Sequence, residues 1–341
     1  MGAEVDATIG SEPRPLLEIR GLRVVFAARR GRLTVVRGVD LEVREGETLG
    51  LVGESGSGKT TTLRSIIRLL PSTATIERGD ILFDGTHVLA LGPQGLRSLR
   101  ARAIGTVFQD PYSTLNPVAR VGRQLAETME LNLGLTRREA WARAIEALDH
   151  VGIPSPDRHA RSYPHELSGG MRQRVMFAMA IAARPRLLLA DEPTTALDVT
   201  TQAQILALLV RLRRENGMAT ILVSHDLGVI AQMCDTVAVM YAGFIVERGP
   251  AREIYRRPHH PYTQGLLRSI PGIVPPASPD EAHLSTIPGQ PPNLQNLPAG
   301  CPFAPRCPHV RAGCGEIDMT LQRAGDAHMT ACPFVRSSDV A

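Results

Sequence analysis

The amino-acid sequence predicts an α/β fold with a mostly parallel core sheet. Between Leu16 and about Gly249, short β-type runs alternate with helical patterns, which is the order of elements that βαβ units produce. Residues 236–249 predict a β-hairpin with its turn near Ala242 and Gly243. The best candidates for buried strands are three apolar runs at residues 47–53, 186–192 and 219–225.

The pattern changes twice along the chain. Between about residues 111 and 184 it becomes helical, so we expect a helical subdomain inserted into the core. After about residue 260 the composition shifts to proline and glycine, which predicts a boundary between residues 260 and 270. The expected organisation is a disordered tail (1–15), a core domain (16–260) and a separate C-terminal unit (261–341).

Composition and charge narrow the class of protein only a little. The chain has 341 residues, 43% of them hydrophobic, which is enough for one large domain or two. Its net charge is +4 and no basic block is interleaved with aromatic residues, so we expect no nucleic-acid partner. No stretch approaches the roughly 20 apolar residues that cross a bilayer, and the N-terminus lacks a secretory signal pattern. We therefore expect a cytosolic chain, or one that partners hold at the cytoplasmic face of a membrane.

A phosphate-binding loop is predicted after the first apolar run. Residues 53–60 fit the pattern G-x-x-x-x-G-K-[ST] between a strand and a helix. Lys59 is the only lysine in the chain, which indicates a specific need for an ammonium group there. It would reach the β- and γ-phosphates of ATP, while the Thr60 hydroxyl would bind Mg²⁺ and the backbone N–H groups would face the phosphates. The predicted nucleotide contacts are Gly53, Glu54, Ser55, Gly56, Ser57, Gly58, Lys59, Thr60 and Thr61.

Two adjacent carboxylates end the second apolar run. Asp191 is placed to hold Mg²⁺, directly or through water, and Glu192 to polarise the attacking water as general base. Alone, the pair would be interpreted as two solvated acids at a strand end. Beside a phosphate-binding loop it predicts nucleoside triphosphate hydrolysis.

Further motifs resemble those of the ABC ATPases. Residues 167–171 (LSGGM) resemble the signature motif of that family, with methionine where glutamine is commoner. The other matches follow the family order over about residues 16–260: Phe26 (the aromatic that stacks on adenine), Gln109 (the Q-loop), Ala196-Leu197-Asp198 (the D-loop) and His225 (the switch histidine). An insertion, AARRGRL, follows Phe26.

The resemblance implies a fold and a composite site. It implies a P-loop ABC-type nucleotide-binding domain with an antiparallel β portion and a helical subdomain. Gln109 would sense Mg²⁺ and contact a membrane partner, and His225 would contact the γ-phosphate. Two such domains pair head to tail in this family, so one subunit would close on the nucleotide of the other through Ser168, Gly169, Gly170 and Asp198.

Finer motifs resemble one branch, the ATPases of oligopeptide and dipeptide importers. They are LSGGMRQRVMFAMAIAARP, QDPYSTLNP, YAGFIVERG and HPYTQGLLRSIP. The methionine form of the signature resembles the D-type subunit. That resemblance implies a second, unequal ATPase subunit, two membrane permeases and an extracytoplasmic binding protein. Nickel and glutathione importers share much of this pattern, and a soluble ABC ATPase that acts on ribosomes or DNA is a weaker alternative.

Four of the five cysteines cluster near the C-terminus, and Cys234 stands apart as a predicted buried hydrophobe. A nucleotide-using chain without an export signal sits in a reducing compartment, which disfavours disulfides and favours a metal site. Prolines after three of the four, and the absence of paired C-x2-C, favour an iron–sulfur cluster over zinc. This segment also resembles the extension of peptide-importer ATPases, some of which hold a 4Fe–4S cluster. The predicted ligands are Cys301, Cys307, Cys314 and Cys332.

Overall fold

Strands and helices alternate in the computed structural model, which describes residues 14–28, 31–110, 114–195, 197–270 and 287–334. The predicted disordered tail, apart from its last two residues, lies outside these ranges. The strands are β1 (Leu17–Ala28), β2 (Gly31–Val43), β3 (Thr48–Val52), β4 (Ala74–Phe83), β5 (Thr86–His87), β6 (Ile104–Val107), β7 (Leu187–Asp191), β8 (Ala219–Val223), β9 (Thr236–Tyr241), β10 (Phe244–Pro250), β11 (Gln322–Gly325) and β12 (His328–Thr330). The α-helices are α1 (Lys59–Ile66), α2 (Pro93–Ser98), α3 (Val121–Leu133), α4 (Arg137–His150), α5 (Pro156–Ala160), α6 (Gly169–Ile181), α7 (Val199–Asn216), α8 (Leu227–Met233), α9 (Ala251–Arg256) and α10 (Pro261–Arg268).

The larger sheet has the strand order β11-β12-β10-β9-β3-β8-β7-β6. Its five strands from β9 to β6 are parallel, whereas β10, β11 and β12 pair antiparallel at one end. The three predicted buried strands are β3, β7 and β8, so the expectation of a mostly parallel core sheet is confirmed. A second sheet, with the order β2-β1-β4-β5, is antiparallel throughout.

The central strands are uninterrupted apolar runs because both faces of the sheet are covered. Every residue of β3, β7 and β8 is buried. Alternate side chains of β7 serve two cores: Leu187 and Leu189 pack toward α1 and the antiparallel sheet, while Leu188 and Ala190 pack toward α6 and the other helices of the 114–184 segment. The α/β class of the sequence prediction follows from this layering.

The predicted hairpin is formed by β9 and β10. Its turn residues Ala242 and Gly243 have φ values of 50° and 89°, both in the left-handed region, as tight two-residue hairpin turns require. A Cβ atom at Gly243 would lie 2.5 Å from the carbonyl oxygen of Val35. This glycine therefore also lets β2 approach the turn.

A group of helices lies between β6 and β7, as the sequence predicts for an inserted helical segment. It comprises α3, α4, α5 and α6. Helix α4 begins with a capping box, in which the Thr136 hydroxyl accepts the Glu139 N–H and the Glu139 carboxylate accepts the Thr136 N–H. Residues 111–113 of the predicted subdomain lie outside the described ranges, and its limits stay a prediction.

The C-terminal segment, residues 287–334, extends the main sheet. Strand β12 pairs with β10, and Glu247 of β10 is completely buried at this junction. Its carboxylate lies 2.8 Å from His328 Nε2 and accepts the backbone N–H groups of His259 and His260 at 2.6 and 3.0 Å. Three partners compensate the burial of this carboxylate. The segment therefore shares a sheet with the core, where the sequence predicted a separate unit; the boundary near residue 260 stays a prediction.

Among the described helices, none is long and apolar enough to span a membrane.

Candidate functional site

The loop between β3 and α1 is shaped by two glycines, at which any side chain would be strained. Gly53 has φ 150°, and a Cβ there would lie 2.1 Å from the carbonyl oxygen of Met240. Gly58 has φ 108°, and its Cβ would lie 2.9 Å from the carbonyl oxygen of Val35. Both backbones press against neighbouring strands in a conformation that side chains rarely allow. The loop is consequently held against the end of the sheet, where its remaining N–H groups can face an anion.

Lys59 is the first residue of α1 and is almost entirely buried. Its Nζ donates to the carbonyl oxygens of Gly53 and Glu54 at 2.7 and 3.0 Å. Burial lowers the pKa of the ammonium, and the nearby carboxylates of Glu192, Asp191 and Glu54 oppose that shift. The loop thus holds a cation in place beside a helix N-terminus.

Oxygen ligands suited to Mg²⁺ meet at the start of α1. The Thr60 hydroxyl donates to Asp191 Oδ1 at 3.1 Å. Asp191 is only 4% exposed, and this burial raises the pKa of its carboxyl group, while the hydrogen bond from Thr60 opposes the rise. A hydroxyl and a carboxylate at this separation fit a hard divalent cation.

Glu192 lies at the centre of a hydrogen-bonded group. Its φ of 47° is unusual for a residue with a side chain, and its N–H donates to the Val223 carbonyl oxygen at 3.0 Å. Its Oε2 accepts hydrogen bonds from Gln109 Nε2 and Thr195 Oγ1, both at 3.0 Å, and His225 Nδ1 lies 3.5 Å away. The sequence analysis missed Thr195, although it follows Glu192 by only three residues.

One cavity of about 300 Å³ brings the predicted residues together. It is lined by Val35, Ser55, Gly56, Gly58, Lys59, Thr60, Thr61, Gln109, Glu192 and His225. Three of the predicted contacts lie beside it: Gly53 and Glu54 accept from Lys59, and Asp191 accepts from Thr60. Ser57 is buried in the same loop, and its Oγ has no partner among the described residues.

Phe26 is not among the residues that line the cavity. It lies in β1, opposite Leu33 and Ala74, and packs half-buried on the core under the antiparallel sheet. The side chain that lines the cavity from this sheet is Val35 of β2, which the sequence analysis missed. No local motif marks Val35, because its position depends on the irregular pairing of β1 with β2.

The signature and D-loop residues form a different surface. Ser168 caps α6 by accepting the Met171 N–H at 3.3 Å, and Asp198 caps α7 by accepting from Thr201. A Cβ at Gly170 would lie 2.5 Å from Thr201 Cγ2, so this glycine lets the two helix starts touch. The structure does not bring Ser168, Gly169, Gly170 or Asp198 to the cavity of their own chain, and Ala196 lies outside the described residues.

The four C-terminal cysteines line a second, small cavity together with His260 and His309. All four are free thiols, and burial raises the pKa of Cys301 to about 11 and that of Cys307 in the same direction. Within the described part of the chain, no three His, Cys, Asp or Glu side chains are arranged as a metal-holding group. Among the described residues, the structure therefore shows clustered thiols, and a metal centre at these cysteines stays a prediction. Cys234, by contrast, is buried away from this cavity, as predicted.

His260 presents an unsatisfied donor at the cysteine cavity. Its ring is fully buried, and Nδ1 accepts the Tyr262 N–H at 3.1 Å. Burial lowers the pKa of His260 to about 4, so the ring is neutral at pH 7 and its proton resides on Nε2. Nε2 has no hydrogen-bond partner among the described residues.

Comparison with known proteins agrees with these features. Residues 36–195 match the family described as "ABC transporter", and residues 246–314 match "Oligopeptide/dipeptide transporter, C-terminal region". The oligopeptide transport ATP-binding protein OppD of Salmonella typhimurium is 47% identical, over 95% of this chain and 96% of that protein. OppD of Bacillus subtilis is 45% identical, over 92% and 87% of the two chains.

Solved structures show the same fold. The dimeric post-hydrolysis state of the ATP-binding cassette MJ0796, bound to ADP and Pi, has a TM-score of 0.63 at 28% identity and covers 69% of this chain and 99% of that chain. CbiO1 from Clostridium perfringens, part of the transporter complex cbiONQ, has a TM-score of 0.61 at 29% identity. The match covers 71% of this chain and 90% of that chain. The fold and the phosphate-binding loop define a P-loop ATPase of the ABC class. Within that class, the chain belongs to the family of ATP-binding subunits of oligopeptide and dipeptide importers.

Proposed function

We propose that this protein hydrolyses ATP and thereby energises an ABC importer of oligopeptides or dipeptides. The observation that carries the proposal is the cavity where Lys59, Glu192 and His225 meet, in a chain 47% identical to an oligopeptide transport ATP-binding protein. A phosphate-binding loop alone is common to many nucleotide-binding families. The match of residues 36–195 supports the ABC class, and the match of residues 246–314, together with the 47% identical relative, supports the peptide branch.

The chain's own residues account for each requirement of hydrolysis. The loop N–H groups and Lys59 bind the phosphates, and Glu192 accepts a proton from the attacking water. Gln109 and Thr195 orient the Glu192 carboxylate through the hydrogen bonds at its Oε2, and His225 lies on the same side. Thr60, Asp191 and Gln109 would hold Mg²⁺, which when bound neutralises charge on the β- and γ-phosphates.

The second half of the site would come from another subunit. Ser168, Gly169, Gly170 and Asp198 lie at two helix starts away from the cavity of their own chain. A helix N-terminus attracts phosphate, so these starts suit the γ-phosphate of a nucleotide held by a partner. We infer a head-to-tail dimer with a second, unequal ATPase, at the cytoplasmic face of a membrane, with two permeases and an extracytoplasmic binding protein. Phe26 stays our proposal for adenine stacking in such an assembly.

The cysteine cavity would hold a metal centre, an iron–sulfur cluster in preference to zinc. Four thiols line one cavity, and the His260 Nε2–H there lacks an acceptor, which a thiolate or sulfide would supply. Because Nδ1 of this ring already accepts a hydrogen bond, His260 fits a donor to sulfur better than a metal ligand. The ligands would be Cys301, Cys307, Cys314 and Cys332.

ATPase activity of the complex isolated through this subunit tests the function. Binding protein loaded with peptide should stimulate hydrolysis above the unloaded level. Glu192→Gln should lower turnover by on the order of 100-fold while ATP still binds. Glu146→Gln, at an exposed glutamate of α4, is the matched control and should keep full activity.

The other outcomes separate the alternatives. Stimulation by nickel- or glutathione-loaded binding protein, and not by peptide, would move the assignment to those importers. Recovery of an active ATPase without permeases would favour a soluble ABC ATPase. Undiminished turnover in Glu192→Gln would remove Glu192 as the general base.

A further inference from the structure

The C-terminal segment binds the phosphate-binding loop at Glu54. Arg306 donates from both terminal nitrogens to the two carboxylate oxygens of Glu54, at 2.7 and 2.9 Å. From the other side, the Glu54 N–H donates to the Tyr262 hydroxyl oxygen at 2.8 Å. The side chain and the backbone of one loop residue are thus both held by residues outside the ATPase motifs.

Arg306 is itself fixed in position. Its Nε donates to the Pro288 carbonyl oxygen at 2.8 Å, and its guanidinium lies 6.0 Å from the ring centre of Tyr241. The Arg306 side chain is 8% exposed and that of Glu54 is 23% exposed. A two-point ion pair with so little solvent around it has a defined geometry, unlike a mobile surface pair.

The charge of Glu54 makes this pairing relevant to nucleotide binding. The Glu54 carboxylate is close enough to influence the Lys59 ammonium, which is placed to meet the phosphates. A bare carboxylate at this position would repel a triphosphate, and the effect would be strong because the site is partly shielded from water. Arg306 supplies the compensating charge from 252 residues further along the chain.

We propose that Arg306 is a positioning residue for ATP binding. It neutralises the charge of Glu54 and, together with Tyr262, fixes the conformation of the phosphate-binding loop. The inference rests on the proposed nucleotide-binding function. It gives the C-terminal segment a direct effect on nucleotide affinity. Both contacts originate next to the cysteine cavity, because Arg306 precedes Cys307, and Tyr262 follows the cavity-lining residues His260 and Pro261.

Binding of a fluorescent ATP analogue to the full-length chain tests this inference. Arg306→Gln removes the charge and keeps most of the side chain, so we expect affinity to fall about tenfold. Arg306→Lys keeps the charge and should retain more affinity than Arg306→Gln. Tyr262→Phe removes only the acceptor for the Glu54 N–H and should have a smaller effect, of about threefold.

The double variant Glu54→Gln/Arg306→Gln separates charge from packing. With both charges removed, affinity should rise at least about threefold above that of Arg306→Gln, a recovery that a purely structural role would not give. Arg248→Ala, at a part-buried arginine that bonds Glu42 of β2, should stay within about twofold. If Arg306→Gln fails to fold, the double variant and Arg306→Lys supply the same comparison.

Two results would overturn the inference: affinity of Arg306→Gln within twofold of the wild type, or no recovery in the double variant. A wild-type chain that does not bind ATP would instead overturn the proposed function. The two failures are therefore distinguishable in a single set of titrations.

Discussion

The phosphate cavity and the cysteine cavity both collect polar side chains, but they differ in how those side chains are paired. In the phosphate cavity, Lys59, Thr60 and Glu192 are hydrogen-bonded to other protein groups. In the cysteine cavity, the His260 Nε2 has no partner among the described residues, and burial raises the pKa of Cys301.

The difference indicates two kinds of site. The first is held in a charged, preorganised arrangement by its own sheet, so a ligand has to reorient few groups. The second contains a buried donor without an acceptor, at His260, and thiols that burial keeps protonated, so binding of a metal would change it more. We expect the phosphate site to persist without its ligand and the cysteine site to depend on one.

The largest effect is expected from Lys59→Ala. Removing a buried ammonium from the phosphate-binding loop should weaken ATP binding on the order of 100-fold, about 3 kcal/mol, because charged hydrogen bonds to the phosphates are lost. The fold should remain, since the loop is shaped by Gly53 and Gly58. Isothermal titration with ATP, together with a melting curve, measures both quantities.

Lys59→Arg is the matched control for that prediction. It keeps the charge, but its planar fork is wider than an ammonium, so we expect an intermediate loss. An ATP affinity of Lys59→Ala equal to that of the wild type would show that the loop does not bind phosphate through this residue.

A smaller but more selective effect is expected from Cys301→Ser. If the four thiols hold a metal centre, this variant should lose most of the iron or zinc bound per chain, and its melting temperature should fall by several degrees. Cys234→Ser is the control, because Cys234 is also buried but lies outside the cysteine cavity. Elemental analysis and the visible absorption spectrum of anaerobically purified protein measure the metal.

If the anaerobically purified wild-type protein contains no metal, the proposed metal site is wrong and the cavity holds four neutral thiols. Equal metal in the Cys301→Ser and Cys234→Ser variants would place the metal elsewhere. Either result would remove the dependence on a ligand that distinguishes the two cavities.

The sequence predicted the parts of the site that depend on local order. Residues 53–60 are contiguous, Asp191 ends β7, and Gln109 and His225 closely follow β6 and β8, so all of them lie at one edge of a parallel sheet. The family order of these motifs was therefore enough to bring them together. Gly243 of the hairpin turn also follows from local residue preference, whereas Ala242 adopts a φ of 50° that alanine rarely takes.

Other features depend on contacts between distant segments and could not be predicted in this way. Whether Phe26 or Val35 lines the cavity depends on the register of a long, irregular hairpin. The pairing of β12 with β10 depends on the burial of Glu247 against His328, 81 residues away. The ion pair of Arg306 with Glu54 has no sequence signal, because the two residues are 252 positions apart and no motif links them.

The smallest effect we predict is a pH dependence of stability at His260. Burial lowers its pKa from the ordinary value of 6.5 to about 4, so the unfolded chain binds a proton more readily than the folded protein between these values. The contribution of neutral His260 to the free energy of unfolding is therefore present above about pH 6.5 and is lost as the pH drops toward 4. Between pH 7 and pH 5 this group alone should remove about 2 kcal/mol from the free energy of unfolding.

His260→Asn isolates that contribution. The amide oxygen of asparagine can still accept the Tyr262 N–H at the start of α10, but the side chain does not titrate. His259, whose pKa burial also lowers, is present in both proteins and cancels in the comparison. Denaturant unfolding at pH 7 and pH 5 should show a loss about 2 kcal/mol larger in the wild type than in the variant. Equal losses would mean that His260 is hydrated or charged in the folded protein, and the unsatisfied donor that distinguishes the cysteine cavity would no longer require an acceptor.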